Sequence, residues 1–203
     1  MTSKDFFQYW IKAYEIKKNE ICSAWDSGSW KKYTDVLSGS SNSDSVLVEV
    51  NKQIKQKHPN YDFYQEYYSC DAVFYDKDDI LSEEIVNNLM RRKRTNAPGN
   101  AEGTWIKSIK IHFEHENNIK TSWQEIIQFC IIPGELNVLI TYPDETDDAN
   151  IAITCYQDIL NQANFKKDVL IVFGTHKKNS KDIVWTGYTY KKNKLTQIKN
   201  INQ

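Results

Sequence analysis

Ile109-Lys110-Ile111-His112-Phe113-Glu114-His115-Glu116-Asn117 alternates apolar with polar side chains, Ile109, Ile111 and Phe113 against Lys110, His112 and Glu114. A period of two is that of a half-buried strand. Glu114 and Glu116 then share a face. Residues two apart along a strand lie roughly 6 to 7 Å apart, so both carboxylates can converge on one hard cation or on two neighbouring ones. A second run, Tyr67-Tyr68-Ser69-Cys70-Asp71-Ala72-Val73-Phe74-Tyr75-Asp76, has the aromatic and β-branched content of a strand inside a sheet. Asp71 interrupts it. A lone buried carboxylate is costly unless it is paired, protonated or bound to a metal. Three acids on two adjacent strands would offset that cost together by holding Mg²⁺.

The rest of the chain bounds what such a site could serve. With 203 residues, 40% hydrophobic and 13% aromatic content and few Gly or Pro, the sequence reads as one globular domain with one substantial core. A net charge of -1 carries no global signature of nucleic-acid binding, so any such surface must come from local segregation of charge. Cys22, Cys70, Cys130 and Cys155 form no C-x-x-C pair, which argues against a zinc site or redox motif and fits a reducing, cytoplasmic location. No apolar run approaches the roughly 20 residues that span a bilayer, and no membrane partner is expected. Gly-rich phosphate loops, H-E-x-x-H and G-x-S-x-G patterns are absent, so NTPase, zincin and serine-hydrolase readings have no support.

The order of elements around the acids resembles the PD-(D/E)XK nuclease superfamily: an Asp on one strand, a Glu-x-Lys or similar pair on the next, then a helix and another strand. The resemblance covers residues 45 to 175 and rests on a short motif, Asp71, Glu114 and Glu116, with Glu116 where most members carry Lys. A minority of restriction enzymes in the superfamily also carry a second Glu there and remain active. The resemblance implies an α/β fold, a central mixed β-sheet flanked by helices in a restriction-endonuclease-like core. It also implies a Mg²⁺- or Mn²⁺-dependent endonuclease. Asp71 and Glu114 would hold the metal, and Glu116 would be a further ligand or general base. The implied partner is nucleic acid, DNA ahead of RNA, and an enzyme that cuts both strands commonly works as a C2 homodimer. In the superfamily the helix before these strands often adds an acid; Glu49 matches that position and Glu20 is the weaker candidate, against the plainer reading of Glu49 as a solvated helix residue. Lys110 or His112 would stand in for the missing Lys. The competing reading is a catalytically inactive binding protein on the same fold. An unrelated α/β protein whose acids merely cap a sheet edge is the third.

Along the chain, spacing predicts a helix over residues 4–26 capped by Thr2 or Ser3, a short helix over 29–37 and a flexible loop at 38–43. Residues 1–43 read as an N-terminal helical extension, 44–175 as the nuclease-like core and 176–203 as a C-terminal strand or hairpin. Residues 44–57 are expected to be helical with Ser43 or Asp44 as cap, and 61–68 and 69–76 an antiparallel pair whose turn is poorly marked. A helix over 80–94 ends in Arg91-Arg92-Lys93-Arg94, read equally as a phosphate-contacting insertion or as cations suiting a helix C-terminus. Thr121-Ser122 with Gln124 or Glu125 reads as a near capping box opening a helix, followed by a buried strand over 136–142 and an acidic loop over 144–148. A helix over 151–163, a strand over 168–174 and a Lys-flanked strand or hairpin over 183–198 complete the pattern. Lys177, Lys178, Lys181, Lys191, Lys192, Lys194 and Lys199, interleaved with Trp185 and Tyr190, are either a phosphate-facing surface or the protection of an edge strand.

Overall fold

The computed structural model describes residues 1–39, 44–81, 105–176 and 182–199. Seven strands form one sheet in chain order: β1 Tyr61–Tyr67, β2 Cys70–Asp76, β3 Ile111–Glu116, β4 Leu136–Thr141, β5 Asp168–His176, β6 Ile183–Lys191 and β7 Lys194–Gln197. The three middle strands, β3, β4 and β5, are parallel, and the pairs on either side of them are antiparallel. Parallel neighbours need crossovers, which α4 Trp123–Ile131 and α5 Thr146–Gln162 supply. The remaining described helices are α1 Ser3–Asp26, α2 Trp30–Leu37 and α3 Val46–Lys57. The protein is thus α/β, with a mixed sheet between two helical layers.

Strand alternation divides the core. Ile111, Phe113, Val138, Ile140, Leu170 and Val172 face α1, α2 and α3, whereas Leu139, Val169, Ile171 and Phe173 face α4 and α5. The buried parallel strands read as near-continuous apolar runs because both faces are covered. His112, Glu114 and Glu116 alternate with Ile111 and Phe113, so the acid face of β3 lies on the α4 side.

The N-terminal segment is not an appendage. Thr2 caps α1 in a reciprocal capping box with Asp5, and Phe6, Phe7, Trp10, Ala13 and Tyr14 fill the middle of one layer. Ser45, rather than Ser43 or Asp44, caps α3, and Asp44 instead pairs with Lys17 at 2.5 Å. The β1–β2 turn is weakly marked because Tyr68 and Ser69 both take positive φ (49° and 69°) without the Asn-Gly that usually provides it.

Two further expectations change. The expected capping box before α4 does not form: Ser122 makes no side-chain cap bond and donates to the Ile119 carbonyl. The acidic run is no loop from Thr146 onward, since Asp147 and Asp148 form the first turn of α5, where they suit the helix dipole. The C-terminal hairpin forms, but Trp185 and Tyr190 are core residues. Lys191 and Lys194 flank its turn at the starting end of β5, since Tyr190 pairs with Val169. That end is opposite to Glu116. The loop at 40–43, residues 82–94 of the helix expected over 80–94 with its Arg91 cluster, and Lys177, Lys178 and Lys181 lie outside the described residues; Ile80, expected to open that helix, instead forms an antiparallel bridge with Ile106. No described helix is long and apolar enough to cross a membrane.

Candidate metal and acid site

The β2–β3 ladder stops at the Ala72–Phe113 pair. One residue further, Asp71 would oppose Glu114. The backbone donors left by that opening are satisfied by side chains instead: Asp71 N–H donates to Glu114 Oε2 at 3.3 Å, and His115 N–H donates to Asp71 Oδ2 at 2.7 Å. The two carboxylates are therefore fixed against each other by the fold. His115 is itself anchored on the far face, with Nδ1 2.7 Å from Ser38 Oγ and Nε2 2.9 Å from Tyr142 OH.

Glu114 is 2% exposed and His112 fully buried. His112 Nδ1 lies 2.7 Å from the Ile132 carbonyl, which can only accept, so Nδ1 carries the proton. In the neutral ring Nε2 is then bare. Its 2.5 Å contact with Glu114 Oε1 is made by the proton of the acid. Burial pushes Glu114 up to about 8, while burial lowers His112, in agreement with a neutral ring bonded to a protonated acid. Burial first, then the charge of Glu114, raises Asp71 to about 7. Asp71 and Glu114 titrate as a pair.

The structure adds Glu125, in the first turn of α4, where burial and the charges of Glu114, Asp71 and Glu116 raise it to about 7. It was read from sequence only as a capping residue; the usable signal is that a crossover helix begins just past the end of β3 and so returns its first turn to the strand's acid face. Glu116 continues that face, and its Oε1 accepts from Asn118 N–H at 2.7 Å. Thr141, paired with Glu116 across the ladder, is buried and its Oγ1 has no partner in the described residues.

Other expected residues are placed elsewhere. Glu49 lies on α3, in the opposite layer, with its carboxylate 2.5 Å from Lys52 Nζ; Gln53, one turn along, reaches the Tyr9 carbonyl of α1. Glu20 bonds Lys17 at 3.2 Å. Lys110 lies just before β3 and pairs with Glu135 at 2.9 Å and Asp79 at 3.7 Å, so it does not replace the missing Lys. His112 does lie in the site.

Cys70, dismissed from sequence because it has no C-x-x-C partner, also reaches it. Its Sγ, His112 and Glu114 present ligand atoms within 4.8 Å of one another. Burial pushes this thiol up to about 12, so it stays protonated, and Nε2 and Oε1 at 2.5 Å are at hydrogen-bond distance. His112 and Glu114 are thus a hydrogen-bonded flank of the site, with the Cys70 thiol beside them accepting from Gln128 Nε2 at 3.9 Å. The carboxylates of Asp71 and Glu114, with Glu116 and Glu125 beside them, are the oxygen donors that a hard cation takes.

No family model and no curated protein sequence matches this chain. The site is therefore read from its own chemistry.

The raised acids have a measurable consequence. A carboxyl whose folded pKa lies above its unfolded value costs nothing below about pH 4, and its cost grows as pH rises from there to the folded pKa and is fully present above it. Asp71→Asn removes that titration while its side-chain oxygen still accepts from His115. In EDTA the variant is expected to melt above the wild type at pH 8 and level with it at pH 4. Thermal melts at both pH values check this, and equal melting temperatures at pH 8 would remove Asp71 from the coupled pair.

Proposed function

We propose that this protein is a Mg²⁺- or Mn²⁺-dependent nuclease with a restriction-endonuclease-like core. The observation that carries the reading is the junction at Asp71 and Glu114, where two carboxylates are held at the opening of a ladder and two more lie within electrostatic reach. Like charges gathered in a half-closed site raise one another, and a divalent cation relieves that strain directly. The sequence of β2, β3, α4 and β4, with β3 and β4 parallel, supports the same reading because it carries the acids in the order the superfamily uses.

Asp71 and Glu114 would hold the cation, with Glu116 and Glu125 as further donors. A bound Mg²⁺ supplies charge neutralisation at the phosphate and the leaving oxygen. The chain supplies the rest. His112 keeps the Glu114 carboxyl oriented through Nε2, and the Ile132 carbonyl fixes the ring's tautomer. When Glu114 gives up its proton, Nε2 is the nearest base to receive it.

A specific observation favours a second reading, an inert binding protein of this fold: Lys110 is committed to Glu135 and Asp79, leaving Glu116 at the position where most superfamily members use Lys. The two part in one experiment. Incubation of plasmid and single-stranded DNA and RNA with Mg²⁺ or Mn²⁺ is expected to give metal-dependent cleavage that rises from pH 6 to pH 9, because the ligands must lose protons to bind. Calorimetry that detects no binding of either metal would overturn the nuclease reading; binding without cleavage of any nucleic acid would leave the inert fold.

A further inference from the structure

The net charge of -1 conceals a division along the sheet. Acids gather beyond the carboxyl ends of the parallel strands, at Glu116 and at Asp144, Glu145, Asp147 and Asp148. The opposite end is basic. β5 starts just after Lys166 and Lys167, and the β6–β7 hairpin turns at the same end, with Lys191 paired to Lys194 and Lys192 at its tip. Val169 pairs with Tyr190, so one step further out Asp168 opposes Lys191, and beyond it Lys167 lies level with Lys192. All five lysines are exposed, and none takes part in an ion pair among the described residues. Glu116, Thr141 and Phe173 are level across the ladders, and from Lys167 to Phe173 is about 20 Å along the strand. The lysines are therefore a separate feature from the acid site.

Two features set this cluster apart from a merely solvated face. Protection of an edge strand calls for lysine on β7, and only Lys194 is there. Lys191 belongs to β6, which has a neighbour on both sides, and Lys166 and Lys167 lie in the connection from α5. The turn is the second feature. It holds Lys192 at φ 52° and Asn193 at φ 62°, and two positive angles in succession make the type I′ geometry that favours Asn or Gly at both places. A lysine there costs about 1 kcal/mol relative to Gly, and a charged side chain kept in a strained tip points to a use for its charge. Beneath the lysines Phe165, Tyr190 and Leu195 are buried, so this end presents cations without an exposed aromatic ring. Platforms for single strands need such rings, and docking on a lipid surface usually adds apolar residues that enter the bilayer. A duplex needs neither. It carries one negative charge per about 1.7 Å of axis, and lysines contact its phosphates without reading sequence.

We propose that Lys166, Lys167, Lys191, Lys192 and Lys194 form a docking surface for the phosphate backbone of a nucleic-acid duplex, separate from the acid site and independent of metal. This surface goes beyond the nuclease reading and stands without it, since an inert protein of the same fold would hold a duplex in the same way. The two ends of the sheet face apart, so a straight duplex held by the lysines does not reach Asp71 and Glu114 of the same molecule. The surface keeps the protein on a long polymer and does not place the phosphate to be cut.

The test uses the full chain in EDTA, where binding is read without metal-dependent cleavage. Labelled blunt DNA duplexes of two unrelated sequences, a single strand, polyglutamate, and vesicles of phosphatidylcholine with phosphatidylserine are titrated at several salt concentrations by anisotropy or co-sedimentation. The expected result is equal affinity for the two duplexes and a slope of log K against log salt of about -3 to -4, since each lysine on a phosphate contributes about -0.9. The combined variant Lys191→Gln, Lys192→Gln and Lys194→Gln is expected to flatten that slope by about 2 to 3 and to weaken binding on the order of tenfold or more, whereas Arg at the same three positions retains both. Lys192→Asn separates charge from fold: Asn suits the turn, so this variant melts above the wild type and yet flattens the slope by about 1. Absence of duplex binding at low salt, an unchanged slope in the Gln variant, or a single strand or polyglutamate bound as tightly as the duplex overturns the duplex surface. Vesicles bound in preference to the duplex overturn it and assign a lipid surface. Cleavage in Mg²⁺ is read separately: activity with an unchanged salt slope in the Gln variant removes only the lysine surface, and duplex binding without wild-type cleavage removes only the nuclease.

Discussion

Glu114→Gln is expected to lower metal-dependent cleavage by on the order of a thousandfold while leaving the protein at least as stable as the wild type at pH 8. The substitution keeps the shape of the side chain. A Gln oxygen still accepts from Asp71 N–H, and a Gln amide still donates to His112 Nε2, the role the protonated acid has in the metal-free site. What disappears is the ability to become a carboxylate. A cation at the reacting phosphate contributes several kcal/mol to transition-state stabilisation, and about 4 kcal/mol corresponds to roughly a thousandfold in rate. Stability moves the other way, because a carboxyl held at about 8 costs the folded state progressively more as pH rises from its unfolded range towards that value. Single-turnover cleavage and thermal melts on the same preparations check both halves. Cleavage within a few-fold of the wild type would remove Glu114 from the chemistry.

The second large effect is on the fold. Trp10→Ala is expected to cost about 3 to 5 kcal/mol, the range for emptying a large aromatic site in a packed core. Trp10 is fully buried on α1, with ring centroids 5.9 Å from Phe113 and 5.4 Å from Trp185. It ties the N-terminal helix to both β3 and β6, and Phe113 is the neighbour of Glu114. For a chain of this length that loss lowers the melting temperature by about 10 °C. Trp10→Phe is far milder, since it also removes the buried indole N–H, which has no partner among the described residues. A denaturant titration of both variants tests this; a Trp10→Ala protein within 1 kcal/mol of the wild type, on the order of a surface substitution, would mean that α1 is only loosely docked.

The two depend on each other through β3. Its Phe113 face is buried under α1 and its Glu114 face under α4, so the packing that secures one face positions the carboxylates on the other. That coupling accounts for a site in which buried acids survive at all: the fold supplies the stability that their repulsion subtracts.

Local pattern was enough for much of this. Period-two alternation in Ile109 to Asn117 gave β3 and its acid face, Thr2 or Ser3 as cap gave the start of α1, and the apolar runs at 136–142 and 168–174 gave two buried strands whose intervening helix implied a parallel crossover. Asp71 stood out because a charge inside a strand needs a reason. These features are legible because each depends on neighbours within a few residues. Glu125, Cys70 and the tie between His112 and Ile132 were not, since they are set by where a crossover helix lands and by how two strands part. The role assigned to Lys110 failed for the same reason: sequence places it two residues from His112, and only packing decides that Glu135 and Asp79 claim it. A crevice at the strand ends brings Trp25 of α1 together with Tyr142, just past β4, and His176 of β5, each more than 100 positions further along the chain. By itself the sequence determined the elements and the face on which its acids lie; tertiary structure decided which acids meet, because burial and like charge are properties of the assembled neighbourhood and of no single segment.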